Sequence, residues 1–339
     1  MYNRIIINIH PMGFNWPTID PFLFCVHHHD LYPHGNEIMG PAAPLAGRNL
    51  GQDFTVKDGW RMYHGLRIPG FPVHPHRGFE TVTVVMQGFV DHSDSAGASG
   101  RYGNGDVQWM TAGAGLQHCE MFPLIHKDRE NPCELFQIWL NLPAERKFAK
   151  PHFKMLWADT IPEIVIADGA GKHTTISVVA GNIDGKRAPA PAPDSWAADP
   201  ENEVAIWYIH MEPGATFQLP RASDEALRML YFFEGDTLNI TGMDIKPMHA
   251  AEMFANHEVV LQNGKKPGRF LLLQGRPINE PVVQYGPFVM NTRQEIEQTF
   301  ADYRATQFGG WPWENDDQVH PRESGRFARY ADGSMHLPD

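Results

Sequence analysis

Two short segments hold the residues with the most chemistry to offer: His74-Pro75-His76 and His118-Cys119-Glu120. In an extended strand, positions i and i+2 point to one face, so each segment aims two donor groups into a single space. Cys119 turns the other way and is not expected to ligate. Three imidazoles and one carboxylate form a borderline-to-hard N/O donor set, suited to Fe(II), Mn, Ni, Cu or Zn. Four protein ligands around a six-coordinate ion leave two positions open, enough for a bidentate substrate or for substrate plus O₂. Glu80, four residues after His76, competes with Glu120 for the carboxylate place, because an alternating strand could turn it to the same interior. A solitary His-x-His is more often a pair of structural or surface histidines. The second segment and the strand pattern around both raise this one above that reading.

Strands must position these groups, and the chain is written for strands. Gly (31) and Pro (28) cut it into short pieces, with period-2 runs between them such as Phe79-Glu80-Thr81-Val82-Thr83-Val84-Val85. Further strands are predicted at 135–140, 174–180, 204–210, 227–233 and 270–273. The texture predicts an all-β barrel or sandwich. Pro75 has no N–H to give a sheet ladder, so its segment belongs at a strand start or an edge near a barrel mouth. One helix is predicted near the end: Thr292-x-x-Glu295 reads as a capping box, Ile296, Phe300 and Tyr303 share a face, and Gly309-Gly310 stops it. Slid against itself, the chain sets 69–76 on 213–220 and, at another offset, 118–122 on 250–254. That weak repeat predicts two similar barrels, the second with its histidines replaced.

The 339 residues suit two domains rather than one. We expect boundaries at 1–145, 146–304 and a tail of 305–339, with the Pro/Ala run 187–194 a loop inside the second domain. The tail is expected as an extended arm laid over a neighbouring surface. Composition is ordinary for a globular chain, with 42% hydrophobic and 20% charged residues and no apolar run of membrane-spanning length. A net charge of −12 with unclustered Lys and Arg argues against direct nucleic-acid binding. The N-terminal apolar stretch is too short for a signal peptide, so a cytoplasmic setting is expected, with Cys25, Cys119 and Cys133 as free thiols.

Other motifs carry less. Consecutive strand residues alternate, so at most two of His27, His28 and His29 could share an ion, and a structural role is expected for them. The Gly-rich 40–51 stretch lacks the ending of a phosphate loop, and Gly103-Asn104-Gly105-Asp106 reads as a hairpin turn. Packing is the default for Arg77 and Met110, and Trp311 and Trp313 are expected to plug an interface. No nucleophilic triad can be argued from spacing.

The stretches PGFPVHPHRGFETVT (69–83), GNGDVQWMTAGAGLQHCEMFP (103–123), QYGPFVMNTRQEI (284–296) and DPFLFCVHHHDLYPHGN (20–36) resemble the pirins, a family of the cupin superfamily. The resemblance spans nearly the whole chain. It implies two tandem cupin (jelly-roll-like) barrels, with one metal in the N-terminal barrel held by His74, His76, His118 and Glu120, which favours Glu120 over Glu80. It also implies an empty second barrel carrying Gln218, Pro220 and Ala250 where ligands would sit. Beyond about residue 305 the chain is similar to longer bacterial members rather than animal-type ones, so nuclear roles are not carried over. The resemblance implies a metal-dependent dioxygenase of the quercetin 2,3-dioxygenase type, Fe(II) first among the candidate metals, acting on a flavonol-like molecule with adjacent hydroxyl and carbonyl oxygens. Glu120 would be its catalytic general base. The alternative it implies is a redox- or metal-dependent regulator that binds a protein partner without turnover. We expect a monomer.

Overall fold

The alternating segments fold as strands, and the computed structural model describes residues 5–338. The strands expected at 135–140, 174–180, 204–210, 227–233 and 270–273 lie inside observed ones, save for Val204 one residue ahead: Asn131–Asn141, His173–Ala180, Ala205–Met211, Leu227–Glu234 and Gly268–Gly275. The chain forms two compact units, neither continuous in sequence. One comprises 5–26 with Thr160–Asn279; the other comprises His27–Asp159 with 280–338.

The unit that carries the histidines has two antiparallel sheets. One runs His152–Leu156, Val107–Thr111, Phe79–Gln87, Asn131–Asn141, then the Phe22–Tyr32 strand, of which the part from His27 belongs here. The other runs Gly70–His76, Leu116–Met121, Phe89–Asp94, Ser99–Gly103, Phe327–Arg329 and Met335–His336. Val85, Leu135 and Phe153 from the first sheet share a core with Val90 and Tyr102 from the second, the jelly-roll arrangement. Gly70–His76 is the edge strand of its sheet, where Pro75 forfeits no essential ladder bond.

The other unit repeats the plan. Its seven-stranded sheet runs from Ile6–Pro11 through His249–Phe254 and Leu227–Glu234 to Glu163–Ala167, and its four-stranded sheet begins with Thr216–Leu219 beside Val259–Asn263. Ile209, Phe217, Phe232, Leu261 and Leu272 fill the interior.

The helix Arg293–Thr306 starts on the expected capping box. Thr292 Oγ1 accepts from Glu295 N at 3.2 Å while Glu295 Oε2 accepts from Thr292 N at 2.8 Å. It packs in the histidine unit, as does the segment after it, whereas the expected boundaries gave the helix to the second domain. Polar anchors account for the difference. Arg77 donates to Asp302 Oδ2 at 2.6 Å, and buried Arg101 donates to the carbonyls of His320, Pro321 and Arg322. Phe327–Arg329 then pairs with Ser99–Gly103, so the tail is a strand of this barrel. No helix among the described residues is long and apolar enough to cross a membrane.

Candidate metal centre

Strand pairing puts the histidines together. On the edge strand, His74 lies opposite His118 of Leu116–Met121, and His76 lies one pleat further on. A register shift between Phe71 and His74 marks a bulge, a device that re-aims side chains. One donor nitrogen from each of His74, His76 and His118 lies within 4.8 Å of the other two, and their ring centroids are 4.5–4.9 Å apart.

Tautomers follow from the neighbours. His74 Nδ1 faces Pro72 O at 2.8 Å and His76 Nδ1 faces Pro287 O at 3.3 Å. A carbonyl only accepts, so each Nδ1 carries the proton and each Nε2 keeps its lone pair. This is the usual outer-shell arrangement of a metal-bound imidazole. His118 is fully buried, and neither of its ring nitrogens has a hydrogen-bond partner among the described residues. Burial, reinforced by the neighbouring imidazoles, pushes His76 and His118 well below the usual histidine range; burial pushes His74 down to about 4. Ligands of a divalent ion must be neutral imidazoles, and these are. The three side chains therefore fit a divalent cation.

Glu120 sits beside them, with Oε2 3.8 Å from His118 Nε2. Its oxygens are already engaged: Oε2 accepts from Gln137 Nε2 at 3.0 Å, and Oε1 lies 3.0 Å from Thr83 Oγ1. It is 4% exposed, and burial raises its pKa while His92 and these donors oppose the rise. Glu80 is also buried and accepts from Thr111 Oγ1 at 2.6 Å. Among the described residues, neither carboxylate falls in the close group with all three histidines.

Cys119 turns outward, as alternation requires, and packs with Ile68 and Met121 against Trp311 and Val319. All three cysteines are free and buried. His27 bonds Glu134 Oε1 at 2.8 Å and stacks on Phe136, whereas His28 faces the other way onto Tyr63 OH at 2.8 Å. Arg77 ties the barrel to the helix, Met110 is buried core, and Trp313 donates to Asp94 O at 2.8 Å.

Two contributions were not anticipated from the sequence. His92 lies opposite Glu120 on the Phe89–Asp94 strand, its ring 5.5 Å from that of His118. The signal was there in the alternation of Val90, His92 and Asp94. Pro287, which orients His76, comes from a segment more than 200 residues away in the chain, in the stretch 284–296. Gly78 admits that segment: its φ is +86°, and a Cβ there would stand 1.9 Å from Val289 O.

One expectation about the second barrel is corrected. The strand paired with Thr216–Leu219 is Val259–Asn263, not Ala250–Phe254, which pairs with Leu227–Phe232. Gln218 is exposed, and the inward positions are Phe217 opposite Leu261 and Leu219 opposite Val259. Sliding the sequence misses the face by one residue, which in a strand is the whole difference.

A cavity of about 430 Å³ lies in the second unit, and one of about 280 Å³ is walled by residues such as Gly88, Phe122 and Cys133. Neither is lined by the triad, so donor chemistry rather than cavity size marks this centre.

Comparison with known proteins agrees with the architecture. Residues 16–140 match the family described as Pirin, and residues 206–309 match the Pirin C-terminal cupin domain. A Pseudomonas aeruginosa protein named as a candidate quercetin 2,3-dioxygenase is 36% identical over 240 residues, covering 70% of this chain and 79% of its own length. Human pirin is 34% identical over 255 residues, 73% of this chain and 80% of its own. The crystal structure of a quercetin 2,3-dioxygenase from Acinetobacter baumannii is similar with a TM-score of 0.68 at 26% identity, covering 90% of this chain and 98% of that one.

Proposed function

The chain belongs to the pirin family, and from that premise we propose that it is a metal-dependent dioxygenase of the quercetin 2,3-dioxygenase type. His74, His76 and His118 would hold one divalent ion, Fe(II) first among the candidates, with Glu120 as the fourth group. The substrate class is a flavonol-like molecule with adjacent hydroxyl and carbonyl oxygens. The observation that carries this reading is the neutral, convergent imidazole cluster with a buried carboxylate beside it. The names of the similar dioxygenases support the substrate class.

When bound, the ion supplies Lewis acidity and a place where substrate oxygens can gather. The remaining work falls to this chain's own side chains. Glu120 is the proton acceptor: burial raises its affinity for a proton, which matches it to a substrate hydroxyl better than an exposed carboxylate would be. Gln137 and Thr83 hold its two oxygens in place, so it can take the proton without swinging away. His74 and His76 are fixed in orientation by Pro72 and Pro287, which keeps the donor set preorganised.

Oxygen uptake by protein loaded with Fe(II) under anaerobic conditions tests the reading, with quercetin and related 3-hydroxy-4-oxo compounds as substrates. Uptake is expected, and Glu120→Ala should lower it at least about a hundredfold. No consumption across the panel overturns the proposal.

A further inference from the structure

The second barrel holds no imidazole cluster among its described residues, yet its interior carries a cation to which no carboxylate of the described residues is hydrogen-bonded. Arg228, on the Leu227–Glu234 strand, lies opposite Gln274 and Met253. Met253 belongs to the apolar core, so the Arg228 side chain shares that inner face, where it is 1% exposed. A guanidinium this deep ordinarily meets a carboxylate. Here both of its acceptors are neutral. Nε and Nη2 donate to Gln274 Oε1 at 3.1 and 2.6 Å, and Nη2 also donates to Pro220 O at 2.8 Å. Nη1 has no hydrogen-bond partner among the described residues.

The acid that acts on it forms its closer contacts elsewhere. Glu203 makes itself felt at Arg228, but its carboxylate accepts from Ser223 N at 3.2 Å and lies 3.7 Å from Arg276 Nε. Burial brings Arg228 down to about 10, which leaves it a cation at neutral pH. A buried cation with a spare donor is costly unless an anion joins it.

There is room for one. Arg228 is part of the wall of the 430 Å³ cavity, a volume within the range of small-molecule sites. The Pro/Ala run from Arg187 to Pro191 forms another wall, and Trp207 a third. The Trp207 N–H is already spent on Ala180 O at 3.1 Å, so the indole offers an apolar surface. Asp184, Asp199 and Glu203 also border the space, as do Arg187 and Arg221, so with Arg228 the lining balances three acids against three guanidiniums and favours a singly charged ligand over a multiply charged one.

We propose that the second barrel binds a small monocarboxylate with an apolar or aromatic body, its carboxylate toward the Arg228 guanidinium and its body against Trp207. The Pro/Ala run serves as a stiff wall of that site rather than as a linker.

Calorimetric titration of the full chain with benzoate tests this, with benzamide as the neutral isostere and inorganic phosphate as the compact anion. Benzoate should bind saturably and at least tenfold more tightly than either. Arg228→Gln should weaken benzoate binding at least tenfold, while His118→Ala should leave it unchanged. If Arg228→Gln does not fold, Ala222→Trp fills the cavity from its half-buried wall with Arg228 in place, and the same loss is expected. Equal binding of benzoate and benzamide overturns the proposal, as does no benzoate binding at about 10 mM. Undiminished binding in the folded variant leaves Arg228 a structural residue only. Loss in His118→Ala moves the carboxylate to the histidine cluster, which also refutes the assignment.

Discussion

Both barrels end one sheet on a short strand paired antiparallel with a single neighbour: Gly70–His76 with Leu116–Met121, and Thr216–Leu219 with Val259–Asn263. In the first, the inward row is His74 opposite His118; in the second it is Phe217 opposite Leu261. The backbone plan is shared, and the side chains on one pleat decide what the interior does. The first row lies among polar groups, including Glu120, Thr83, Gln137 and His92; burial keeps the imidazoles neutral, while Thr83 and Gln137 hold the buried carboxylate. The second row belongs to a continuous apolar core, and the buried cation of that barrel, Arg228, lies at a separate cavity. A barrel scaffold therefore supplies convergence, while donors arise only where the alternation brings them to the inner face.

The largest break in this comparison comes from His118→Ala. Removing the central imidazole should weaken divalent-metal binding at least about a hundredfold, so protein that purifies with metal should lose it on dialysis. Elemental analysis checks this, and stoichiometric metal in the variant would sink the triad. Phe217→His attempts the reverse in the second barrel. It should cost about 2 kcal/mol through lost packing and an unpaired imidazole, and should add no second ion. Urea midpoints and metal counts read both effects.

A pH series sharpens the contrast at the next level. In metal-free protein, the folded state holds the triad neutral, with His74 at about 4 and the other two well below 6.5. The unfolded chain takes up protons near 6.5, so it binds more protons than the folded chain below that pH. Stability should be complete above about pH 6.5 and fall toward pH 4, by at most about 1.4 kcal/mol per unit for each histidine. A denaturation midpoint flat across that window would show the imidazoles are not buried neutral. The smallest effect is expected from Asp302→Asn, which loosens the Arg77 anchor of the helix and should cost about 0.5–1 kcal/mol, because the pair is partly exposed. Metal content should not change; a matching loss of metal would make the helix part of the centre.

Much of this is legible in the sequence. Period-2 alternation located the strands, the Thr292 and Glu295 pair located the helix start, and i, i+2 spacing put His74 with His76 and sent Cys119 outward. These are local rules, in which the backbone period alone orients a side chain. Contacts between distant segments were not legible. The carbonyl of Pro287 on His76, the tail strand on Ser99–Gly103 and the pairing of Gln137 with Glu120 each depend on register and packing across long sequence separations. The second barrel shows the limit most clearly: the self-match named Gln218, yet Phe217 faces inward. Composition and spacing determined which residues could act and which strands would carry them. Only the tertiary structure decided which face each strand presents and which neighbours complete it, because a shift of one residue exchanges interior for solvent without altering the local pattern.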